Sequence, residues 1–229
     1  SAASDVYKRQ VLVKVRAVFE KKGRAKYISH LDLNRCIQRT IKRSGLPIWY
    51  TEGFNPHIYI MFALPLSLGY ESSAEIMDFN LTENISYEEI KERLNSVMPE
   101  GIRVLKAFEP VNKHTSIKYA EYRICFKSDF PDRLINSFNE FISRDSLNTV
   151  KRTKKGVEKV VDLKPLIKVR KIELLNGILE IEALFPAGTE NNINPSLLID
   201  MFLSEDLGDT TVSEVERTGV LMENEKEFF

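Results

Sequence analysis

The chain passes twice through one order of hydrophobic periods, and that order limits the folds open to it. In the first half, Val11–Phe19 alternates apolar and polar residues as a strand does. The pattern from Ser29 to Ser44 then has the helical period. Strand-like runs follow at Pro47–Thr51, Tyr59–Leu66 and Ala74–Leu81. A second helix is predicted at Ser86–Val97, with Tyr87, Ile90, Leu94 and Val97 on one face, and Ile102–Phe108 closes as a strand. The second half predicts a strand at Ala120–Lys127 and a helix from Pro131 to Ser143. Strands come next at Thr149–Lys151, Val157–Asp162, Lys168–Leu174 and Ile178–Phe185, the last two joined by an Asn176-Gly177 hairpin signal. Asn194 caps a helix through Leu203 with Pro195 in its first turn, and Thr211–Arg217 is the final strand. Each half reads as β-α-β-β-α-β with additions, so the expected class is α+β with two ferredoxin-like units. The expected boundaries are residues 11–112 and 113–222, with a frayed tail at 223–229. No residue-level repeat relates the halves.

Chemistry concentrates between Arg24 and Tyr70, which holds two of the three histidines and the single tryptophan. Ser29 followed by Asp32 forms a capping box, and Asp32 suits the positive end of the helix dipole. Gly45 supplies the stop. Leu33, Cys36, Ile37, Thr40 and Ile41 share one face of this helix, and Arg35, Arg39, Lys42 and Arg43 share the other. Four cations in a stripe can track a phosphate backbone, although a solvated helix face has the same pattern. Trp49, Tyr50, Phe54 and Tyr59 place rings beside those cations, a combination that suits base stacking and equally suits the rim of a core.

His30 and His57 are the candidates for catalysis. Two imidazoles on a cationic surface can act as base and acid on a ribose 2′-hydroxyl, with Arg24, Lys26 or Tyr27 stabilising the phosphorane. The structural alternative makes His30 a first-turn residue and His57 a partner within its own turn. No metal site is expected: His30, His57, Glu75 and Asp78 match no ligand spacing. Glu71, Glu75 and Asp78 could instead pair with Arg35 and Arg39, which would remove the electrostatic case for RNA.

The chain carries 33 basic and 33 acidic residues, so no global field favours a polyanion. The distribution is uneven: Val11–His57 has ten Lys or Arg against three Asp or Glu, and Asp145–Lys171 has nine against three. Two basic segments on a neutral chain favour a localised polyanion site. Cys36 and Cys125 are the only cysteines, both expected as buried thiols, and no CxxC pattern marks a cluster or zinc site. With no long apolar run, the expected compartment is the cytoplasm, away from membranes. The first ten residues, SAASDVYKRQ, read as an in-frame translation of a transposase sequencing adapter from an environmental (metagenomic) assembly. Native sequence is then expected to begin near Val11, with further sequence upstream.

The runs YISHLDLNRCIQRTIKRSGLP, YTEGFNPH and FALPLSLGYES, with Glu75 and Asp78 after them, resemble the radical SAM-linked protein family. This is a bacterial domain of unknown function found beside, or fused to, a radical SAM protein. The resemblance extends from Val15 to Arg217 and is most specific at Ser29-His30-Leu31-Asp32, Gly53-Phe54-Asn55-Pro56-His57 and Leu64-Pro65-Leu66. It implies a partner: a radical SAM enzyme, carrying its own iron–sulfur cluster and S-adenosylmethionine, that acts on RNA or the translation apparatus. No cofactor is then expected in this chain. A second similarity, of architecture alone, is to repeat-associated RNA-processing proteins built from paired ferredoxin-like units. The expected function is a non-catalytic accessory module presenting an RNA-related substrate. Its contact residues are Lys26, Tyr27, His30, Arg35, Arg39, Arg43, Phe54, Asn55 and His57. The alternatives are a histidine-dependent RNA-processing enzyme and a purely protein-binding adaptor.

Overall fold

The computed structural model describes residues 12–152, 156–189 and 191–229, and the adapter-like segment lies outside them. It shows an α+β protein whose chain divides into two compact units. The first comprises residues up to 68 together with 75–111, and the second comprises 69–74 and 112–229.

In the first unit, β1 (Val13–Lys21) leads through a 3₁₀ turn (Gly23–Tyr27) to α1 (His30–Arg43). Then come β2 (Ile60–Phe62), β3 (Glu71–Leu81), α2 (Tyr87–Asn95) and β4 (Ile102–Phe108). The strands lie in the order β4-β1-β3-β2, with β4 antiparallel to β1 and β2 antiparallel to β3. The apolar stripe of α1 forms the core contact as expected: Leu33, Ile37 and Ile41 are buried with Phe19, Met77 and Phe79 from the sheet. Burying each of these α1 side chains contributes roughly 1.5–3 kcal/mol relative to exposing it. Ile90 and Leu94 of α2 complete that core with Ile102 and Val104.

The second unit contains β5 (Ile117–Lys127), α3 (Pro131–Ser143), β6 (Asn148–Arg152), β7 (Glu158–Asp162), β8 (Lys168–Leu175) and β9 (Ile178–Pro186). α4 (Ser196–Leu203) and β10 (Thr211–Met222) follow. Its strands lie in the order β10-β5-β9-β8 with every neighbour antiparallel. Glu71 and Ser72 pair in parallel with Glu216 and Arg217, so this sheet is mixed. β6 and β7 form a separate hairpin. The core centres on Phe202 of α4, whose ring lies 4.9 Å from that of Phe138, 5.2 Å from Phe126 and 5.3 Å from Phe141.

Three expectations need correction. Pro47–Thr51 makes no strand: its pairing reduces to single bridges, Ile48 with Leu81 and Tyr50 with Ile58. Pro47 has no N–H to contribute to a ladder. The strand expected at Tyr59–Leu66 is limited to Ile60–Phe62. The tail is not frayed. Phe228 is fully buried, its amide donates to the Val220 carbonyl at 2.9 Å, and Asn112 Nδ2 donates to its carbonyl at 3.0 Å. One buried aromatic ring at the end of a polar run is enough to tie the segment down.

Candidate nucleic-acid interface

Lys21 builds the approach to α1. Its side chain is buried, and Nζ donates to the carbonyls of Ile28 at 2.9 Å and Lys26 at 3.4 Å. A buried ammonium is costly unless its protons are taken up, and here backbone carbonyls take them. The 3₁₀ turn is thereby held with Tyr27 standing out, 68% exposed, and the Lys26 ammonium 5.6 Å from its ring centroid. In the sequence Lys21 is only one of the ten cations of Val11–His57. A buried lysine has no sequence signal of its own.

The Ser29 cap forms, with the return bond from Asp32 made to the Ser29 hydroxyl rather than to its amide. The Asp32 amide donates to Ser29 Oγ at 3.1 Å, and Ser29 Oγ donates to the Asp32 carboxylate at 2.8 Å. The same carboxylate accepts from Arg35 at 3.2 Å one turn on, with both side chains exposed. Arg43 donates to the Val97 carbonyl at 3.3 Å. Arg39 and Lys42 are exposed and have no hydrogen-bond or ion-pair partner among the described residues. The acidic strand therefore does not neutralise the stripe. Asp78 instead receives both Nε and Nη2 of the buried Arg16, each at 2.8 Å. That bidentate pair gives a buried guanidinium its carboxylate inside the unit, and Asp78 is not spent on Arg39 or Lys42.

His30 sits on the first turn with its ring edge-on to Phe62, 5.2 Å between centroids. Phe62 in turn contacts Phe19 of the core at 6.3 Å. Before β2 the chain forms a hairpin. The Trp49 amide donates to the Asn80 carbonyl, Tyr50 bridges Ile58, and the Thr51 amide donates to the His57 carbonyl at 2.8 Å. The Trp49 and Tyr59 rings meet at 6.3 Å. At the tip, Phe54 is completely exposed, and Asn55 and His57 are exposed as well. His57 Nδ1 lies 3.0 Å from both the Asn55 carbonyl oxygen and Thr51 Oγ1. Among the described residues no hydrogen bond or ring contact joins His30 to His57: the first is braced on Phe62, the second inside its own tip. Thr51 and Phe62, which brace the two imidazoles, were not among the expected residues. Thr51 lies close enough in sequence to His57 for a local turn reading to have found it.

No group of three or more His, Cys, Asp or Glu side chains able to hold a metal ion occurs among the described residues. Cys36 is half-buried on α1 and Cys125 is buried on β5, both as free thiols. Two cysteines fall short of the four thiolates an iron–sulfur cluster usually takes. Among the described residues no helix is long and apolar enough to cross a membrane.

The second basic segment behaves differently. Lys168 pairs with Glu225 at 2.8 Å, Arg170 with Glu121 and Glu225 at 2.6 Å each, and Lys171 with Glu173 at 2.9 Å. Lys164 donates to the Ile142 carbonyl and Lys151 to the Asn192 carbonyl. Carboxylates thus match Lys168, Arg170 and Lys171, and backbone carbonyls take up Lys151 and Lys164.

Among solved structures, one similar chain comes from a Cbf5–Nop10–Gar1 complex, at 14% identity and a TM-score of 0.46, covering 91% of this chain and 49% of that one. A second is an unknown protein from Galdieria sulphuraria, at 9% identity and 0.27, covering 90% and 98%. A third is a CRISPR-associated protein from Thermus thermophilus, at 14% and 0.24, covering 87% and 98%. The chain spans about half the length of the first, and at these scores the likenesses carry no conclusion. No curated protein matches it. A family model does: residues 14–195 match DUF2344, described as an uncharacterized protein conserved in bacteria, and the chain belongs to that family.

Proposed function

We propose that this chain is a non-catalytic module that binds single-stranded RNA, or presents an RNA-related substrate, beside a radical SAM enzyme. The observation that carries the RNA reading is the pairing, within one unit, of unmatched cations at Arg39 and Lys42 with the uncovered rings of Tyr27 and Phe54. Cations take the phosphates and rings take the bases, with little demand on sequence. The partner rests on the resemblance of the SHLD, GFNPH and LPL motifs to the radical SAM-linked family. The iron–sulfur cluster and S-adenosylmethionine belong to that partner. A cytoplasmic setting fits the two free thiols. We take both units as ferredoxin-like. Two observations support this: the strand orders β4-β1-β3-β2 and β10-β5-β9-β8 are equivalent, and each unit has two helices.

The test is a gel-shift titration of the full chain against total bacterial RNA at several salt concentrations, with the gel also read for cleavage. A shift that weakens steeply with salt and is lost on reversing Arg35 and Arg39 is the expected result. New fragments that vanish with His57→Ala would replace it with a nuclease. No shift at low salt would leave only a protein-binding adaptor.

A further inference from the structure

Resting on the RNA reading, we infer that the hairpin tip at residues 51–57 discriminates RNA from DNA. Phe54 stacks on one unpaired base, and His57 Nε2 accepts the 2′-hydroxyl of a neighbouring ribose.

The tautomer of His57 follows from its partners. The Asn55 carbonyl oxygen, 3.0 Å from Nδ1, can only accept, so Nδ1 carries the proton. In the neutral ring Nε2 is then a bare lone pair on an exposed side chain. The ring is held in place from both sides. The His57 amide donates to Thr51 Oγ1 at 3.1 Å, and Thr51 Oγ1 also sits 3.0 Å from Nδ1. Gly53 at φ +118° takes a backbone that side-chain-bearing residues rarely adopt, and Pro56 fixes its own φ. An aromatic ring with no protein cover is thus carried on a tip that does not need to order itself on binding. Pre-organisation of that kind reduces the entropic cost of a contact.

The tip's charge says which part of a nucleotide it meets. Its seven residues, Thr51 to His57, contain no Lys or Arg, and Glu52 is exposed. A phosphate is repelled there. What the tip offers is a π face and an acceptor, and the donor that RNA has and DNA lacks is the 2′-hydroxyl. The α1 cations and the tip therefore divide the work: the cations bind either backbone, and the tip reads the sugar.

The experiment uses the full chain and three fluorescein-labelled oligouridylates of 20 nucleotides: ribose, 2′-deoxy and 2′-O-methyl. Anisotropy titrations at fixed salt are expected to favour the ribose form by about tenfold, the scale of one hydrogen bond whose loss leaves a group unpaired. The two modified forms, which lack the donor, bind alike. His57→Ala makes the three equal and leaves the salt dependence unchanged. Phe54→Ala weakens all three by about tenfold or more, as loss of one stacked base does. The 2′-O-methyl comparison uses unaltered protein, so it holds even if a variant misfolds. Equal binding of all three by the unaltered chain, or a ribose preference that survives His57→Ala, overturns the inference and leaves the RNA module standing. No binding of any oligonucleotide at low salt overturns the module, and this inference with it.

Discussion

Arg39 and Arg123 are the same residue type in opposite company. Arg39 stands on the outer face of α1 with solvent around it and no partner among the described residues. Arg123, on β5, lies among three carboxylates: Glu180 at 3.3 Å, Glu216 at 2.6 Å and Glu214 in contact. The hydrogen bond to Glu216 comes first among the causes that hold its guanidinium above the usual arginine range, with the charges of Glu214 and Glu216 adding to it against the cost of burial. Cys125 lies beside this network, and burial pushes its thiol up. Arg123, Cys125, Glu180 and Glu214 line an open cavity of about 380 Å³ in which the guanidinium is already engaged by carboxylates. The lesson is that cation count does not make a polyanion site. A cation recruits phosphate only if the fold has not already supplied it with a carboxylate.

The strongest way to break this contrast is charge reversal on α1. Arg39→Glu with Lys42→Glu is expected to lower affinity for single-stranded RNA on the order of 100-fold at low salt and to reduce the salt slope by about two. Urea unfolding should be unchanged, because neither side chain is paired. The matching reversal of Lys168 and Arg170, both already paired, should change RNA affinity less than about twofold. If the second pair of reversals weakens binding as much as the first, the distinction between matched and unmatched cations fails.

Removing a matched cation should do the converse. Arg123→Met leaves Glu180, Glu214 and Glu216 facing one another without their common partner. The side chain is 30% exposed, so solvent screens part of the repulsion, and the expected loss is about 1–2 kcal/mol rather than the figure for a fully buried pair. The readout is the urea midpoint, with RNA affinity as the control that should not move. An unchanged midpoint would mean that the network is ornamental to the fold.

What could be read from the sequence divides along the same line. Local signals were legible. Pro131 at the first turn gave the start of α3, and Ser29 with Asp32 gave the start of α1, because these signals act within one turn. Elements whose ends are set by distant partners were not. β10 was expected to stop at Arg217 and runs to Met222, because Gly219, Val220, Leu221 and Met222 pair with Glu121, Ala120, Tyr119 and Ile117. The same reason hides the site. The exposed face of α1 follows from periodicity, but whether its cations are free depends on where Asp78 finds Arg16, and that is decided across the sheet. The basic run at 145–171 looked equivalent in composition, yet its Lys168, Arg170 and Lys171 are taken by Glu225, Glu121 and Glu173.

The cap offers a smaller test on the RNA side. Ser29→Ala removes the acceptor for the Asp32 amide and frees the carboxylate that now engages both Ser29 and Arg35. The expected cost is about 1 kcal/mol of stability. RNA affinity should change little, since Arg39 and Lys42 lie further along α1. A large loss of affinity with normal stability would place Ser29 itself in the interface.

The smallest effect is expected at Glu225, where exposure weakens even a well-formed pair. Hydrogen bonds first from Lys168 and then from Arg170 hold its carboxyl below the ordinary value of 4.5. A carboxylate held low in the folded chain contributes stability above its unfolded pKa and loses it as the pH falls through the folded value. The contribution of Glu225 is therefore complete at neutral pH and fades only in the acid range, below its ordinary value. Glu225→Gln should lower the thermal midpoint slightly at pH 7 and converge with the unaltered chain as the solution is acidified. Added salt should shrink the difference at neutral pH, because both partners face solvent. A difference that grows on acidification would have the wrong sign for a paired carboxylate. A difference that does not vary with pH would instead mean that Glu225 acts through its backbone conformation, at φ +58°, in the turn before Phe228, and that its charge is incidental.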